Sequence, residues 1–549
     1  MSTKSLLISF NDCPSSVDSL MPDNGLANLA GSLISKGHKT YIYDYSTFET
    51  VRDYRPKHIR QKLKKAFLRY KIETAIFRKM SRAVYNDFRD IEEKIQICRE
   101  KKIESVIKEL GAKVKEEELD FLGFKLWSGE GFIGSTKIAK GLRKDFPKLK
   151  IFAGGPNVEV FGEHIFAYTD AFDVLCQGEG EETILQLGEY VEGKRELKDI
   201  SNIIYKEDGK IISTPIERIE ELDSLAEPVY DESIYPAMKD NQKIKIIMLE
   251  ESRGCPYGCN FCIHKIKSGN QWRVRNVDSI IESIKKISNR VGTKAFRFSG
   301  SNTPYFLRKQ LAEGLIATGT KIKYICFADT RQPEKEDYVL LKKSGCVSLF
   351  FGVESADPYL LKQIMNKKTD PEWIRESLIQ AKEAGILTAA SIIVPCPGES
   401  KESVKKTIDL LVETRPDGVS VCPGACYPKT QWFLESKKFG FELPEDVERK
   451  MMTYTIKFTM PPALMEPFPF KMDGKDFYTM INEVIQVSEA LEKKGITTNL
   501  NDSLLLIAEV LRMRPRQVKQ FNQRSMILGE CEKLKVKISC FNSAVKAYQ

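Results

Sequence analysis

Three cysteines on one short loop constrain this chain of 549 residues more than any other feature. Cys255, Cys259 and Cys262 follow the spacing C-x3-C-x2-C, and nearby glycines and a proline let the backbone curl until the sulfurs point inward. Three thiolates can ligate three irons of a cubane 4Fe–4S cluster and leave the fourth iron open to a small molecule. Phe261 is expected to shield one side of the cluster from water. A zinc knuckle is the alternative, but it needs a fourth ligand at matched spacing, and His264 follows Cys262 too closely.

Size and composition predict several domains in a cytoplasmic protein. A chain of this length holds about three to four domains. The net charge of +9 is a weak indication of anionic partners and does not indicate a DNA-binding protein. The sequence shows neither a secretion signal nor a window of about twenty apolar residues, so we expect no membrane span.

Cysteine usage indicates reduced thiols. Thirteen cysteines is an odd number, and without a signal peptide it argues against a disulfide framework. Most of those outside the loop are expected to be small buried hydrophobes. Cys422 and Cys426 lie four residues apart and could form a second metal pair, but no partner ligands have matching spacing.

Strands and helices alternate along the first 195 residues, which predicts a domain with a parallel sheet. Strands are predicted at residues 5–10, 38–44, 119–124, 149–153 and 172–176, and helices at 25–36, 134–144 and 182–191. The fourth strand ends in Gly154-Gly155-Pro156 and the fifth in Gly178-Glu179-Gly180-Glu181. Ligands bind at the carboxyl ends of strands in such sheets, where glycines let the backbone approach them closely.

A charged insertion, residues 51–118, interrupts this alternation between the second and third strands. It has helical spacing and is dense in Lys, Arg and Glu. It could cap a cofactor, bind a partner or form a solvated helical arm, and its charged faces favour the arm. Its basic half, residues 52–82, could also meet an anionic substrate or surface.

A second alternating region, residues 246–430, predicts a partial (β/α) barrel of about six units. A connector, residues 196–245, precedes it and contains a short hairpin around Asp208-Gly209. Strands are predicted at residues 295–299, 324–328, 347–353, 388–394 and 418–422, with a helix before each. Catalytic groups are expected at the carboxyl ends of these strands.

The cluster loop and its surroundings resemble the radical S-adenosylmethionine (radical SAM) enzymes. Phe351-Gly352-Val353-Glu354-Ser355 is similar to the end of that family's fourth barrel strand, and Val394-Pro395-Cys396-Pro397-Gly398-Glu399 to its fifth-strand motif, with Val394 in place of the usual first glycine. The glycine motifs at 154–156 and 178–181 resemble the cobalamin-binding domain that precedes many of these barrels. The chain lacks the Asp-x-His-x-x-Gly signature, so the resemblance implies a corrinoid without a histidine on its lower face.

The resemblance implies three cofactors and a set of contacts. These are a 4Fe–4S cluster on Cys255, Cys259 and Cys262, SAM, and cobalamin. Contacts to SAM and its cluster are expected from Phe261, Ser299, Gly300, Glu354, Ser391 and Gly398. Contacts to cobalamin are expected from Asn11, Gly154, Gly155, Pro156, Gly178 and Glu179. A carboxylate such as Glu354 can hold the ribose hydroxyls or the ammonium group of SAM.

The last segment, residues 431–549, predicts a small helical domain that closes the barrel mouth and helps to select the substrate. Residues 451–470 are rich in methionine, proline and aromatic side chains. That run is either substrate contact or ordinary hydrophobic core.

The function implied is that of a class B-like radical SAM C-methyltransferase. SAM cleavage at the cluster gives a 5′-deoxyadenosyl radical, and methylcobalamin then methylates an unactivated carbon of the substrate. The alternative is a radical cyclisation, oxidation or rearrangement in which cobalamin is absent or donates no methyl group. A non-catalytic sensor is a third hypothesis. The implied partners are a small-molecule, peptide or lipid substrate and a flavodoxin- or ferredoxin-type reductant.

Overall fold

A seven-stranded sheet organises the first part of the chain. The computed structural model describes residues 2–77, 79–331, 335–457 and 460–548. The strands are β1 Lys4–Ser9, β2 Lys39–Asp44, β3 Phe121–Lys125, β4 Lys150–Gly154, β5 Val174–Cys176, β6 Ile203–Glu207 and β7 Lys210–Ser213. The helices are α1 Asn24–Ser35, α2 Phe48–Tyr54, α3 Lys57–Phe77, α4 Arg82–Glu117, α5 Glu130–Asp145, α6 Pro156–Phe161, α7 His164–Tyr168 and α8 Gly180–Val191. The spatial order is β2-β1-β3-β4-β5-β6-β7.

The first five strands are parallel and give the flavodoxin-like order that the alternation predicts. Helices cover both faces, so β1 is buried on both sides. Leu7 packs on one face, and Leu6 and Ile8 pack on the other. The hairpin β6–β7 corrects one expectation, because it pairs antiparallel with β5 and extends this sheet instead of standing alone in a connector.

The insertion forms α2, α3 and α4 and is anchored by one face. Tyr54, Leu63 and Phe88 belong to a buried core of its own, to which Met460 from the C-terminal segment contributes. Lys457 forms an ion pair of 2.7 Å with Glu92, which ties the same two segments together. The predicted arm is therefore solvated only on its outer face.

The second sheet has six parallel strands in chain order, which is the predicted partial barrel. The elements of this region are β8 Ile247–Leu249, β9 Ser252–Arg253, α9 His264–Ser268, β10 Arg273–Val274, α10 Val277–Ile287, β11 Ala295–Phe298, α11 Tyr305–Ala317, β12 Lys323–Ala328, α12 Tyr338–Lys343, β13 Cys346–Glu354, α13 Pro371–Glu383, β14 Leu387–Ile393, α14 Lys401–Thr414 and β15 Gly418–Cys422. The barrel strands are β8 and β11–β15, whereas β9 and β10 form a separate antiparallel pair. The predicted fold class is thereby confirmed.

The C-terminal region divides between the two ends of the barrel. Its elements are α15 Gln431–Leu434, β16 Phe441–Glu442, α16 Val447–Thr453, β17 Lys471–Met472, α17 Phe477–Lys493, α18 Asp502–Val510, α19 Pro515–Asn522 and α20 Cys531–Lys546. Helix α18 packs on the amino-terminal residues of the barrel strands, such as Ala295, Val347 and Ala389. Arg297 fixes it through a 2.8 Å hydrogen bond to Ser503. The expectation that this domain closes the mouth is therefore wrong for α18.

A different part of the C-terminal region reaches the carboxyl ends of the barrel strands. Asp473, directly after β17, accepts a hydrogen bond of 2.7 Å from the backbone N–H of Gly398. Residues 458 and 459 of the predicted methionine- and aromatic-rich run lie outside the described residues. Within the described ranges, no helix has the length and apolar character that crossing a bilayer requires.

Candidate active site

The three cysteines lie on a loop whose two ends are joined by the β9–β10 pair. Gly254 has φ +89°, and a Cβ there would lie 1.9 Å from the Gln271 carbonyl oxygen, so only glycine fits. The backbone N–H of Cys255 donates to the carbonyl of Gly269 across the loop at 3.2 Å. These contacts close the foot of the loop, and the three cysteines follow directly beyond it, between Cys255 and Cys262.

The thiols occupy a partly buried setting. Burial raises the pKa of Cys255, and it raises the pKa of Cys262 to about 11. Among the residues that the structure describes, no three His, Cys, Asp or Glu side chains converge on a position for a single metal ion. A cubane does not require such convergence, because each thiolate binds a different iron. Three partly exposed thiols on one turn fit that cluster.

A guanidinium approaches the sulfurs from the end of β12. The Arg331 Nη2 lies 3.6 Å from the Sγ of Cys259, and the guanidinium carbon lies 3.5 Å from the centroid of the Tyr257 ring. Asp329 holds Arg331 through a 2.8 Å ion pair. A positive charge at this distance offsets the negative charge of a thiolate-bound cluster.

Aromatic rings cover one side of the cysteine loop. Phe261 packs on Trp432 with ring centroids 5.6 Å apart. The Trp432 indole N–H donates to the Ile364 carbonyl at 3.1 Å, and its backbone N–H donates to the Asn260 carbonyl at 3.0 Å. The Asn260 N–H in turn donates to the Met365 carbonyl at 2.9 Å. The shield expected from Phe261 is thus completed by a tryptophan from α15.

The end of β11 offers close backbone approach and an unused hydroxyl. A Cβ on Gly300 would lie 2.4 Å from the Oε1 of Glu251, and the Gly300 N–H donates to that carboxylate at 3.1 Å. Burial raises the pKa of Glu251, although Thr303 also donates to it at 2.6 Å. Within the described part of the chain, the buried Ser299 hydroxyl has no hydrogen-bond partner. That hydroxyl is available to a ligand.

The ends of β13 and β14 bring together a polar triad. Glu354 is buried and has φ +62°. Its Oε1 accepts from Lys367 at 3.0 Å, and its Oε2 accepts from the Ser391 hydroxyl at 3.2 Å. A carboxylate held by one ammonium and one hydroxyl can hold the ribose hydroxyls or ammonium of SAM.

The loop after β14 places a second carboxyl beside this edge. Gly398 has φ +68°, which favours glycine at the position of the predicted motif. Glu399 accepts a hydrogen bond of 3.0 Å from the Cys396 N–H. Burial raises the pKa of Glu399 to about 8.

A cleft of about 160 Å³ opens at the carboxyl edge of the first sheet. Its walls are apolar side chains such as Leu26 and Phe152, together with glycines. The glycines that border it are Gly25, Gly123, Gly154, Gly155, Gly178 and Gly180. Two charged residues also line it, but Lys125 is paired with Asp23 and Glu181 with Arg253. The rest of the lining is backbone and apolar groups, so this slot fits a flat, uncharged ring such as the base that ends the nucleotide tail of a corrinoid.

The other residues expected at cobalamin lie outside the walls of this cleft. Pro156 begins α6, and Asn11 sits in the loop after β1, against the start of α5. Glu179 points the other way. Its carboxylate accepts from Arg273 at 2.9 Å and from the Ile219 N–H at 2.9 Å.

Residues 250–411 match the model of the radical SAM superfamily. The match contains the cysteine loop, Gly300, Glu354 and Gly398 at the places just described. The chain carries a radical SAM domain. An uncharacterized methyltransferase of Pyrococcus horikoshii is 27% identical to it over 328 residues, which cover 58% of this chain and 69% of that protein.

Two further comparisons extend beyond the radical SAM domain. The anaerobic magnesium-protoporphyrin IX monomethyl ester cyclase of Cereibacter sphaeroides is 27% identical over 301 residues, which cover 51% of this chain and about half, 47%, of the cyclase. The solved structure of the radical SAM methyltransferase TsrM from Kitasatospora setae, with cobalamin and a 4Fe–4S cluster bound, matches at a TM-score of 0.65 and 13% identity, over 98% of this chain and 99% of TsrM. The second match concerns the fold, which is shared from end to end.

These findings confirm the predicted radical SAM resemblance, the fold class and the expectation of an enzyme. Several residues of the site escaped the sequence reasoning. Arg331 lies 72 positions after Cys259, and Trp432 lies 170 positions after Cys262. Both contact the cluster loop, and no local motif indicates them. Lys367 is different, because the run Met365-Asn366-Lys367-Lys368 resembles the Met-x-Lys that follows the Glu354 motif in the family, and only the contact of Lys367 with Glu354 is added by the fold.

Proposed function

We propose that this protein is a cobalamin-dependent radical SAM enzyme that methylates an unactivated carbon. The observation that carries the proposal is the direct connection between the cysteine loop and the glycine-lined cleft. Arg273, beside the loop, binds Glu179, and Arg253 binds Glu181, a residue that borders the cleft. Two sites joined in this way can serve one substrate.

The residues divide the work between binding and exclusion of water. The thiolates of Cys255, Cys259 and Cys262 hold the cluster, and Glu354 with Ser391 binds the polar groups of SAM. The walls at Gly154 and Gly178 receive the corrinoid tail. When bound, the cluster supplies the electron that cleaves SAM, and the corrinoid supplies the transferable methyl group.

Two further parts of the proposal concern the surroundings of the reaction. Phe261 and Trp432 keep water from one side of the loop, which protects a reactive radical from side reactions. A flavodoxin- or ferredoxin-type protein supplies electrons. All thirteen cysteines are free thiols, which supports a reducing, cytoplasmic setting.

A second function is favoured by one comparison. The Cereibacter sphaeroides cyclase resembles about half of this chain. The same site could therefore carry out a radical cyclisation or oxidation, in which no methyl group passes to the product. The two proposals share the cluster and SAM, and they differ in the fate of the SAM methyl group.

Anaerobic reconstitution with iron, sulfide and hydroxocobalamin tests the proposal without a known substrate. The purified protein is reduced and given SAM with a deuterated methyl group. A methyltransferase produces 5′-deoxyadenosine, S-adenosylhomocysteine and corrinoid that carries the label. A cyclase produces 5′-deoxyadenosine without labelled corrinoid. Absence of 5′-deoxyadenosine from protein with a full complement of iron would overturn both functions.

A further inference from the structure

Two arginines stand opposite each other at the foot of the cluster loop. Arg253 and Arg273 are directly paired residues of the β9–β10 ladder, and each is only 8% exposed. Like charges in directly opposed positions destabilise a strand pair. Burial makes this arrangement still less favourable unless carboxylates compensate the charges. The partners of these two arginines therefore control the geometry of the loop between them.

The compensating carboxylates come largely from the first domain. Glu179 accepts from Arg273 at 2.9 Å and lies 3.2 Å from Arg253. Glu181 accepts from Arg253 at 3.3 Å. Although burial favours the neutral acid, Arg273 and Arg253 hold the pKa of Glu179 below its usual value. Both glutamates lie where β5 connects to α8.

The same four-residue segment, residues 178–181, forms a wall of the glycine-lined cleft. Gly178 and Gly180 border the cleft, and their neighbours Glu179 and Glu181 hold the arginines. Gly178 has φ +68°, a conformation that other residues rarely adopt. A ligand that fixes the backbone at Gly178 and Gly180 therefore also fixes the two carboxylates.

A second wall of the cleft makes an independent connection. Helix α1 supplies Leu26 and Leu29 to the cleft, and its Asn28 donates to the Oε2 of Glu250 at 3.2 Å. That same oxygen accepts from the Nε of Arg253 at 3.2 Å. Two walls of the cleft thus converge on one guanidinium, two residues before Cys255.

We infer that Glu179 and Glu181 are positioning residues that couple occupancy of the cleft to the geometry of the cluster loop. A corrinoid in the cleft holds the carboxylates, the carboxylates hold the paired arginines, and the arginines hold the loop that carries the thiolates. The coupling is reciprocal, so a loaded cluster must tighten corrinoid binding by the factor by which the corrinoid tightens the cluster. The inference rests on the proposed function in one respect, namely that the cleft takes the corrinoid.

The experiment measures corrinoid affinity with and without the cluster. Hydroxocobalamin is titrated anaerobically into full-length protein before and after cluster reconstitution and followed by visible absorbance. In the wild type, we expect the loaded cluster to tighten binding by at least about fivefold. In Glu179→Gln and in Glu181→Gln, this ratio falls towards one. Glu182→Gln, an exposed glutamate on the same helix, keeps the wild-type ratio.

A spectroscopic readout separates positioning from general loss of structure. The Mössbauer spectrum of the oxidised, SAM-bound cluster, which has no electron to pass to hydroxocobalamin or SAM, should change on addition of hydroxocobalamin in the wild type and should not change in the two variants. If Glu179→Gln does not fold, Asn28→Ala tests the other wall, because it removes one hydrogen bond and no charge.

The outcomes separate this inference from the proposed function. A wild type that retains no hydroxocobalamin would overturn both together. A wild type that binds hydroxocobalamin with equal affinity in both cluster states would overturn the coupling and leave the proposed function standing. If both glutamine variants kept the wild-type ratio of hydroxocobalamin affinities with and without the cluster, Glu179 and Glu181 would not be the residues that couple the two sites.

Discussion

The two parallel sheets use the same edge for different chemistry. At the carboxyl edge of the first sheet, the cleft is bordered mainly by glycines and apolar side chains, with Lys125 and Glu181 as its charged members. At the carboxyl edge of the barrel, buried charges meet in pairs, such as Glu354 with Lys367 and Asp329 with Arg331. A neutral, flat ligand needs space, whereas a charged ligand needs compensating charges in a dry site. The ligand class that each sheet can take is therefore evident from what stands at its strand ends.

The largest effect should come from removing a cluster ligand. Cys259→Ala takes away one of the three thiolates. Losing a residue that only hydrogen-bonds a metal ligand costs about 10–100-fold, so loss of a ligand itself should lower 5′-deoxyadenosine formation more than about 100-fold. Iron content and product yield are measured after reconstitution. Cys540→Ala, at an exposed cysteine on α20, is the control and should retain both. Normal SAM cleavage by Cys259→Ala would contradict the assignment of the loop.

The next effect should come from altering the wall of the cleft. Gly155 has φ +94°, and a Cβ there would lie 2.9 Å from the Cγ of Lys125. Gly155→Ala should weaken hydroxocobalamin binding by roughly 10–100-fold, because backbone strain of about 1–3 kcal/mol and a clash displace the wall. The iron content should not change. This variant would therefore alter one sheet edge and leave the other intact.

A matched control isolates the cleft from backbone strain. Gly193 also has a positive φ, +73°, and a Cβ added there would meet no atom of the described residues within 4 Å, so Gly193→Ala introduces positive-φ strain at a remote site without a clash. It should leave corrinoid affinity unchanged. Equal loss in both variants would show that the effect is global instability and not the shape of the cleft.

Removing a charge from the barrel edge should have a smaller effect. Glu354→Gln leaves the hydroxyl of Ser391 in place but deprives Lys367 of its 3.0 Å ion pair. SAM affinity should fall about tenfold, which is the lower end of what a charged hydrogen bond contributes. The measurement is the SAM dependence of the cluster's paramagnetic resonance spectrum. Exposed Glu402→Gln serves as control, and unchanged affinity in Glu354→Gln would place SAM elsewhere.

The same contrast explains what the sequence alone can predict. The strands of both sheets can be predicted from local apolar runs. Glycines such as Gly155 and Gly254 can be recognised in the sequence because their positive φ angles favour glycine over other residues. Ion pairs such as Glu179 with Arg273 join residues 94 positions apart, so no local pattern reveals them. The sequence predicts Glu179 at the cofactor because Glu179 stands between two glycines of the motif. The ion pair with Arg273, which turns its side chain away from the cleft, is visible only in the fold.

Placement of whole elements escapes prediction for a related reason. The hairpin β6–β7 is local and follows from its turn residues, but its pairing with β5 depends on an edge that only the folded sheet provides. Helix α18 is expected near the mouth and packs on the opposite end, against Val347 and Ala389. An apolar helix can cover either end of a barrel, and its periodicity does not distinguish between them.

The smallest expected effect is on the pH dependence of thermal stability. The cleft is lined mainly by groups that do not titrate, whereas the barrel edge contains the carboxyl group of Glu399. Burial raises the pKa of that carboxyl to about 8 in the folded state. The folded protein therefore binds more protons than the unfolded chain above about pH 4.5, and stability falls as pH rises from there to about 8. Glu399→Gln removes this dependence, so its Tm advantage over wild type should widen from pH 6 to pH 8, by about 2 °C, and then stay constant. Thermal unfolding at several pH values measures it, with exposed Glu383→Gln as the control. If the plots of Tm against pH ran parallel for the wild type and Glu399→Gln, the Glu399 carboxyl would already be ionised at neutral pH. In that case neither sheet edge would change its charge between pH 6 and pH 8.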